Sequence, residues 1–147
     1  MTVIIDVFRA FTTDAFVMAN GAETIHPVLT VEEAHELRRL HPDWLLMGER
    51  EGIKVEGFDY GNSPHEIRDI DFTSRTLIQT TGSGTRGIVN AVDADEIILG
   101  SFVMAEAIVN YIREVDPDVV SLVAMGWNGN YPAIEDELCA EYLEGRL

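Results

Sequence analysis

Three arginines, Arg9, Arg50 and Arg86, stand just after apolar runs in a 147-residue chain that holds only nine arginines and one lysine, Lys54. A planar guanidinium binds phosphate, sulfonate or carboxylate through two parallel hydrogen bonds, so three on one edge predict a small polyanionic ligand. The competing reading is that each arginine pairs with a nearby carboxylate. Such carboxylates are at hand in Asp6, Glu49, Asp59, Glu135 and Asp136. Hard oxygen donors of this kind suit Mg²⁺, which takes one or two protein carboxylates and completes its shell with water or phosphate. An ion so held polarises a phosphoryl oxygen and activates water. For Glu135 and Asp136 alone, an acidic first helical turn facing the macrodipole is an equally simple account.

The run Thr80-Thr81-Gly82-Ser83-Gly84-Thr85-Arg86 combines small residues, hydroxyls and a cation, the makings of an anion cradle. The plainer alternative is a strand-to-helix turn capped by Thr85. It lacks the Walker lysine and the spaced glycines of a dinucleotide fingerprint, which leaves the ATPase and Rossmann readings weak. Cys139, the single cysteine, shares a helical face with Glu135 and Asp136, either as a nucleophile or as a small buried apolar residue. Of His26, His35, His41 and His65 none has metal-ligand spacing, and only His65, beside a long loop, is retained as a candidate.

The elements that must position these groups follow from periodicity. Strands are predicted at Val3–Phe8, Thr24–Val28, Trp44–Met47, Thr76–Thr81, Glu96–Leu99 and Val119–Ala124. Helices are predicted from Phe11 to Asn20 with Gly21 as C-cap, after a Thr30/Glu33 capping box, after Gly84, over Phe102–Val115, and from Ala133 to Leu143. Alternating apolar strands and helices joined by glycine-containing turns predict an α/β fold, one domain over residues 1–147, with a mainly parallel sheet and helices on both faces. In such sheets ligands bind beyond the carboxyl ends of the strands. Asp6–Arg9, Gly48–Arg50, Thr80–Arg86, Gly100-Ser101 and Gly126–Asn130 all follow a predicted strand, as does the polar loop Gly57–Pro64 at longer range.

Composition narrows the partners. Ten basic against 26 acidic side chains leave a net charge of −16, which repels nucleic-acid phosphates and anionic lipid surfaces and leaves a small anion met by placed arginines. Arginine in place of lysine beside abundant carboxylates hints at a salt-adapted or GC-rich source. One cysteine excludes an intrachain disulfide, and no apolar run approaches the ~18 to 20 residues of a bilayer span. The N-terminal run carries Asp6 and no cationic flank, so it reads as a strand rather than a signal peptide, and a cytoplasmic protein is expected.

Several stretches in order and spacing resemble the 2-phosphosulfolactate phosphatase family of coenzyme M biosynthesis. They are Val3-Ile4-Ile5-Asp6-Val7-Phe8-Arg9-Ala10-Phe11-Thr12-Thr13, Gly48-Glu49-Arg50, Gly57-Phe58-Asp59-Tyr60-Gly61-Asn62-Ser63-Pro64, Gly100-Ser101-Phe102, Trp127-Asn128-Gly129 and Glu135-Asp136-Glu137-Leu138-Cys139-Ala140. The resemblance implies a Mg²⁺-dependent α/β phosphatase that hydrolyses 2-phosphosulfolactate to sulfolactate and phosphate. On this reading the catalytic residues are Asp6, Arg9, Glu49, Arg50, Asp59 and Asp136, and the metal ligands come from Asp6, Glu49, Glu135 and Asp136. The substrate-binding residues are Asn62, Ser63, Thr81, Ser83, Gly84, Thr85, Arg86 and Asn128.

The chain reads Glu51 where the family has glycine, Ser83 where it has asparagine, Met104 for another asparagine and Glu141 for glycine. Family members are also longer, so the chain is expected to be a shortened relative or part of a longer product. The alternative is therefore a non-catalytic relative that binds a small anion or serves as a subunit of a larger assembly. The expected partners are a small anionic phosphorylated substrate and, on the second reading, further copies of the chain in a homo-oligomer.

Overall fold

Strands and helices alternate along residues 1–147, all of which are described by the computed structural model. The strands are β1 (Thr2–Ile5), β2 (Thr24–Pro27), β3 (Leu45–Arg50), β4 (Ile53–Lys54), β5 (Thr76–Thr80), β6 (Ile97–Gly100) and β7 (Ser121–Ala124). The helices are α1 (Thr12–Ala19), α2 (Val31–Leu40), α3 (Pro64–Ile67), α4 (Gly84–Asn90), α5 (Ala105–Val115) and α6 (Ile134–Glu144). The strands form two sheets, ordered β6-β1-β7 and β2-β5-β3-β4, parallel throughout except for β4. The mainly parallel α/β expectation holds, and the division into two sheets is what periodicity did not carry.

Strand alternation decides which helix covers which face. In β1, Val3 and Ile5 are buried against α5 and α6 through Ile108, Val109, Ile112, Cys139 and Leu143. Ile4 points the other way, into a cluster with Phe11 and with Ile88 of α4. In the second sheet Leu46 and Ile78 meet Ala34 of α2, whereas Met47 and Leu77 meet Val17 of α1 and Ile67 of α3. Each of these fully buried aliphatic side chains contributes about 1.5–3 kcal/mol. The capping box of α2 is formed: the Glu33 N–H donates to Thr30 Oγ1 at 3.1 Å, and the Thr30 N–H donates to Glu33 Oε2 at 3.1 Å.

Several boundaries differ from expectation for local reasons. The first strand stops at Ile5 because the Asp6 carboxylate accepts the Ala10 N–H at 3.3 Å, so Val7–Phe11 forms a wide turn before α1. Strand β3 runs on to Arg50, which puts Glu49 in the sheet rather than in a loop. It then turns through Glu51 (φ 53°) and Gly52 (φ 78°) into the antiparallel β4. Two successive left-handed residues make the type I′ hairpin turn, for which glycine at the second position is suited. A short 3₁₀ turn, Phe102–Met104, precedes α5. Helix α4 leaves the second sheet at β5 and packs beneath β1 of the first, and a Cβ on Gly87 would meet Ile4 Cγ2 at 2.6 Å. This crossing brings the carboxyl ends of β1, β3, β5 and β7 to one cleft.

Candidate active site

The cleft, of about 550 Å³ measured out to its open mouth, is lined by Asp6, Arg9, Glu49, Asn62, Gly82, Ser83, Asn128, Glu135 and Asp136. Phe8, Gly52, Gly126, Trp127 and Ala133 complete the wall. Eight residues expected from sequence thus meet at the place predicted for them, beyond the strand ends.

Three carboxylates stitch the strand-exit loops together. Asp136, at the start of α6, accepts the Val7 N–H at 2.7 Å and the Gly126 N–H at 2.9 Å, joining the exits of β1 and β7. Glu49 accepts the Gly82 N–H at 2.8 Å and the Gly52 N–H at 2.7 Å, joining β5 to the β3–β4 turn. Asp6 accepts from Ala10 and is close to Gly84, where a Cβ would approach Asp6 Oδ2 and the Phe11 ring to 3.0 Å. Glycine at 84 therefore permits the contact between the β1 and β5 exits. A carboxylate accepts about four hydrogen bonds, so each of these keeps lone pairs facing the cleft.

Crowding acids together has an electrostatic consequence. Burial first, and then the charge of Asp136, pushes Asp6 up from an ordinary 3.8 to about 7. Burial also raises Asp136. No three acidic, histidine or cysteine side chains converge as a metal-binding group. The donor set does not fit a cation that needs three or more protein ligands. It fits Mg²⁺, which takes one or two carboxylates, and the mutual repulsion of Asp6 and Asp136 is what a divalent cation relieves.

Arg9, Arg50 and Arg86 form no ion pair, whereas Arg38, Arg39, Arg68 and Arg146 each do. That removes the expectation of carboxylate pairing for all three, but only Arg9 lines the cleft. It is placed there by one bond, Nη2 to the Gly52 carbonyl at 2.8 Å. Arg50 turns inward and donates to the carbonyls of Glu49 and Leu29 and to Thr80 Oγ1, so it clamps β3 to β5. Arg86 is exposed and donates to the Asn128 carbonyl at 3.3 Å, bracing the Trp127–Asn130 turn from outside the cleft wall.

Other expected contacts also resolve into support. Thr81 and Thr85 lock the turn from within: the Thr81 N–H donates to Thr85 Oγ1 at 3.0 Å and the Thr85 N–H to Thr81 Oγ1 at 3.1 Å. Their hydroxyls are buried in that exchange, and Ser83, which makes no cap bond, is the residue of the turn whose side chain reaches the cleft. Ser63 is the N-cap position of α3 and does not line the cleft. Cys139 is fully buried in the β1–α5–α6 core and burial pushes its thiol up to about 11, so the nucleophile reading gives way to the packing one. His65 is exposed on α3, away from the cleft wall.

Asp59 departs furthest from its expected role. Its Oδ2 accepts the Leu46 N–H and Arg38 Nη1, both at 2.8 Å, which ties the Gly57–Pro64 loop to β3 and α2. Asp59→Asn should cost about 1–2 kcal/mol, less than the roughly 1.5–3 kcal/mol of a fully buried hydrogen bond to a charged group because Asp59 and Arg38 are each about one-third exposed, and leave kcat within about twofold. Parallel thermal melts and turnover measurements check this, and a loss of turnover at unchanged Tm would return Asp59 to the site.

The sequence reading missed Phe8 and Trp127, whose rings flank the cleft although both are largely exposed. Large aromatics directly after strands were the available signal. It also missed the buried Asp14–Gln79 pair, in which the Gln79 amide of β5 donates to the Asp14 carboxyl of α1 and burial holds that carboxyl well above the carboxylate range.

No helix is long and apolar enough to cross a membrane. A sequence model of the family described as 2-phosphosulpholactate phosphatase matches residues 1–147. A protein named "Probable 2-phosphosulfolactate phosphatase" from Clostridium acetobutylicum is 40% identical over 142 residues, covering 96% of this chain and 60% of that protein. Proteins with the same name from Caldicellulosiruptor saccharolyticus and Carboxydothermus hydrogenoformans are 40% and 41% identical, covering 95% and 96% of this chain and 59% and 58% of theirs. The chain thus spans about three-fifths of the length of these relatives. Matched over its full extent and sharing two-fifths of its residues with them, the chain belongs to the 2-phosphosulpholactate phosphatase family.

Proposed function

We propose that this cleft hydrolyses 2-phosphosulfolactate to sulfolactate and phosphate with the help of Mg²⁺. The observation that carries the reading is the meeting of Arg9, a cation with no carboxylate partner, with three loop-anchored carboxylates beyond the strand ends. A substrate with phosphate, sulfonate and carboxylate groups matches a cleft that has a guanidinium, two side-chain amides and a free hydroxyl to offer.

Arg9 binds anionic oxygens through its remaining N–H donors. The amides of Asn62 and Asn128 and the Ser83 hydroxyl orient the substrate. The Asn62 carbonyl oxygen is buried without a partner and is ready for a substrate hydroxyl or a bound water. Asp6 and Asp136 are the pair suited to holding Mg²⁺, which when bound would polarise a phosphoryl oxygen. Glu135, which lines the cleft and accepts no protein hydrogen bond, is free to take the proton of the attacking water. The water oxygen bonds to phosphorus, the phosphorus–ester oxygen bond breaks, and the departing oxygen takes a proton from solvent to leave as the sulfolactate hydroxyl, while Glu135 releases the proton it took from water. Catalysis comes chiefly from positioning and from compensating charge on oxygen.

The test is phosphate release from racemic 2-phosphosulfolactate, with Mg²⁺ and with EDTA. Mg²⁺-dependent release is expected. Binding of the substrate without release would instead favour a non-catalytic anion-binding relative.

A further inference from the structure

Asp14 and Gln79 take no part in the cleft wall, yet they carry two of the four buried side-chain atoms that lack a hydrogen-bond partner. Asp14 lies on α1 one turn before Val17, and Gln79 lies on β5 two residues after Leu77. Helix and strand periodicity therefore put both side chains on the seam where Val17 packs on Leu77. Asp14 is 3% exposed and Gln79 1%. The Gln79 amide N–H donates to Asp14 Oδ1, and that is the only hydrogen bond either side chain makes. Asp14 Oδ2 and Gln79 Oε1 are left as two buried acceptors with no donor.

An ionised carboxylate only accepts, so it leaves Gln79 Oε1 unsatisfied. The neutral acid has an O–H to give, and one proton on Oδ2 removes both orphans. The surroundings favour that form. Charged side chains on the elements around α1 are Asp6 and Arg9 of the turn before it, Glu49 and Arg50 of β3, and His65 and Glu66 of α3; β5 and the Phe102–Met104 turn bring none. Arg9 is turned to Gly52, Arg50 to Thr80 and Glu49 to Gly82, while His65 and Glu66 are exposed. No cation pairs with Asp14. Burial, partly offset by the Gln79 hydrogen bond, and then the charge of Asp6 hold its carboxyl as the acid.

The pair stands at a junction of the cleft's supports. Gln79 leads through Thr80 into the locked Thr81–Thr85 turn, which carries Gly82 and Ser83 into the cleft. Asp14 belongs to the helix that follows Asp6 and Arg9. We propose that Asp14 is a positioning residue of the cleft, held as the neutral acid: its Oδ2–H donates to Gln79 Oε1 while Oδ1 accepts the Gln79 N–H, and the closed pair fixes the exit of β5, with Gly82 and Ser83, against the helix that follows Asp6. A neutral acid makes this junction without placing a further negative charge behind Asp6. The pairing is independent of the reaction assigned to the cleft, and its effect on turnover rests on that assignment.

Infrared difference spectra between the parent and Asp14→Asn test the proton directly. At pH 8, where Asp6 has largely released its own proton, the parent should show one C=O band of a protonated carboxyl that the variant lacks and that shifts in D2O. Asparagine reproduces the two reciprocal bonds and cannot ionise, so the variant should melt above the parent at pH 8 and at the same temperature at pH 4. Turnover tests the positioning. Asp14→Leu, which leaves the Gln79 amide unpaired, should lower kcat by about tenfold or more at a temperature well below its Tm, and Asp14→Asn should restore it to within about twofold of the parent. Absence of the carboxyl band at pH 8, or an asparagine variant less stable than the parent there, would overturn the proposal. So would an Asp14→Leu protein with the parent's kcat. A parent that releases no phosphate would sink the phosphatase reading instead, and the band and the melts would still decide the state of the pair.

Discussion

Asp6→Asn is expected to abolish turnover, by at least about a hundredfold, and at the same time to raise the melting temperature in EDTA at pH 8. The sign follows from proton linkage. The Asp6 carboxyl lies at about 7 in the folded protein against 3.8 ordinarily, because burial and Asp136 disfavour its charge. Below pH 4 both folded and unfolded chains hold the proton and the group contributes nothing. Between pH 4 and 7 the unfolded chain has released the proton while the folded chain retains it, so stability falls as pH rises through this window. The full loss above pH 7 is about 4 kcal/mol. Asparagine cannot ionise and escapes it, which corresponds to about 10 °C in Tm for a chain of this size. The gap between variant and parent should close by pH 4. Melts of both proteins from pH 4 to 8 decide the matter, and a variant less stable than its parent at pH 8 would mean that the carboxylate is structural. A Mg²⁺-induced rise in Tm at pH 8 should occur in the parent and be lost in the variant.

Arg9→Ala should raise KM for 2-phosphosulfolactate by about 10- to 100-fold, the equivalent of one charge-assisted hydrogen bond at about 1.5–3 kcal/mol. Folding loses much less. In the free protein the Arg9 side chain makes one hydrogen bond, to the carbonyl of exposed Gly52, and no ion pair, so at most about 1 kcal/mol of stability depends on it. Arg9→Lys keeps the charge without the planar fork and should recover only part of the affinity. Inhibition by inorganic phosphate, measured beside KM, checks whether the lost contact is to an anion. An unchanged KM, or a fall in Tm as large as the fall in affinity, would reduce Arg9 to a loop support.

The same contrast, between residues that face the cleft and residues that build it, marks how far the sequence could be read. Apolar periodicity and the Thr30/Glu33 box were enough for the alternation of strands and helices, because both record interactions within a few residues of one another. Chemistry gathered at the carboxyl ends of strands was likewise legible, since parallel α/β topology leaves the loops little choice of edge. Which of three arginines faces the ligand was not. Arg9 enters the cleft, Arg50 turns to Leu29 and Thr80, and Arg86 braces Asn128, although all three follow a strand. Asp59 and Asp136 show it again: one staples a loop to Arg38 and Leu46, and the other receives N–H groups from Val7 and Gly126 at the cleft itself. A side chain's direction depends on partners such as Val7 and Gly126, 129 and 10 residues from Asp136, which the pairing of β1 with β7 brings beside α6. The sequence by itself determined the fold class, the edge that carries the chemistry and the family. Only the tertiary structure decided which charged groups meet there, because burial and long-range hydrogen bonds exist once the strands have paired and the helices have packed on them.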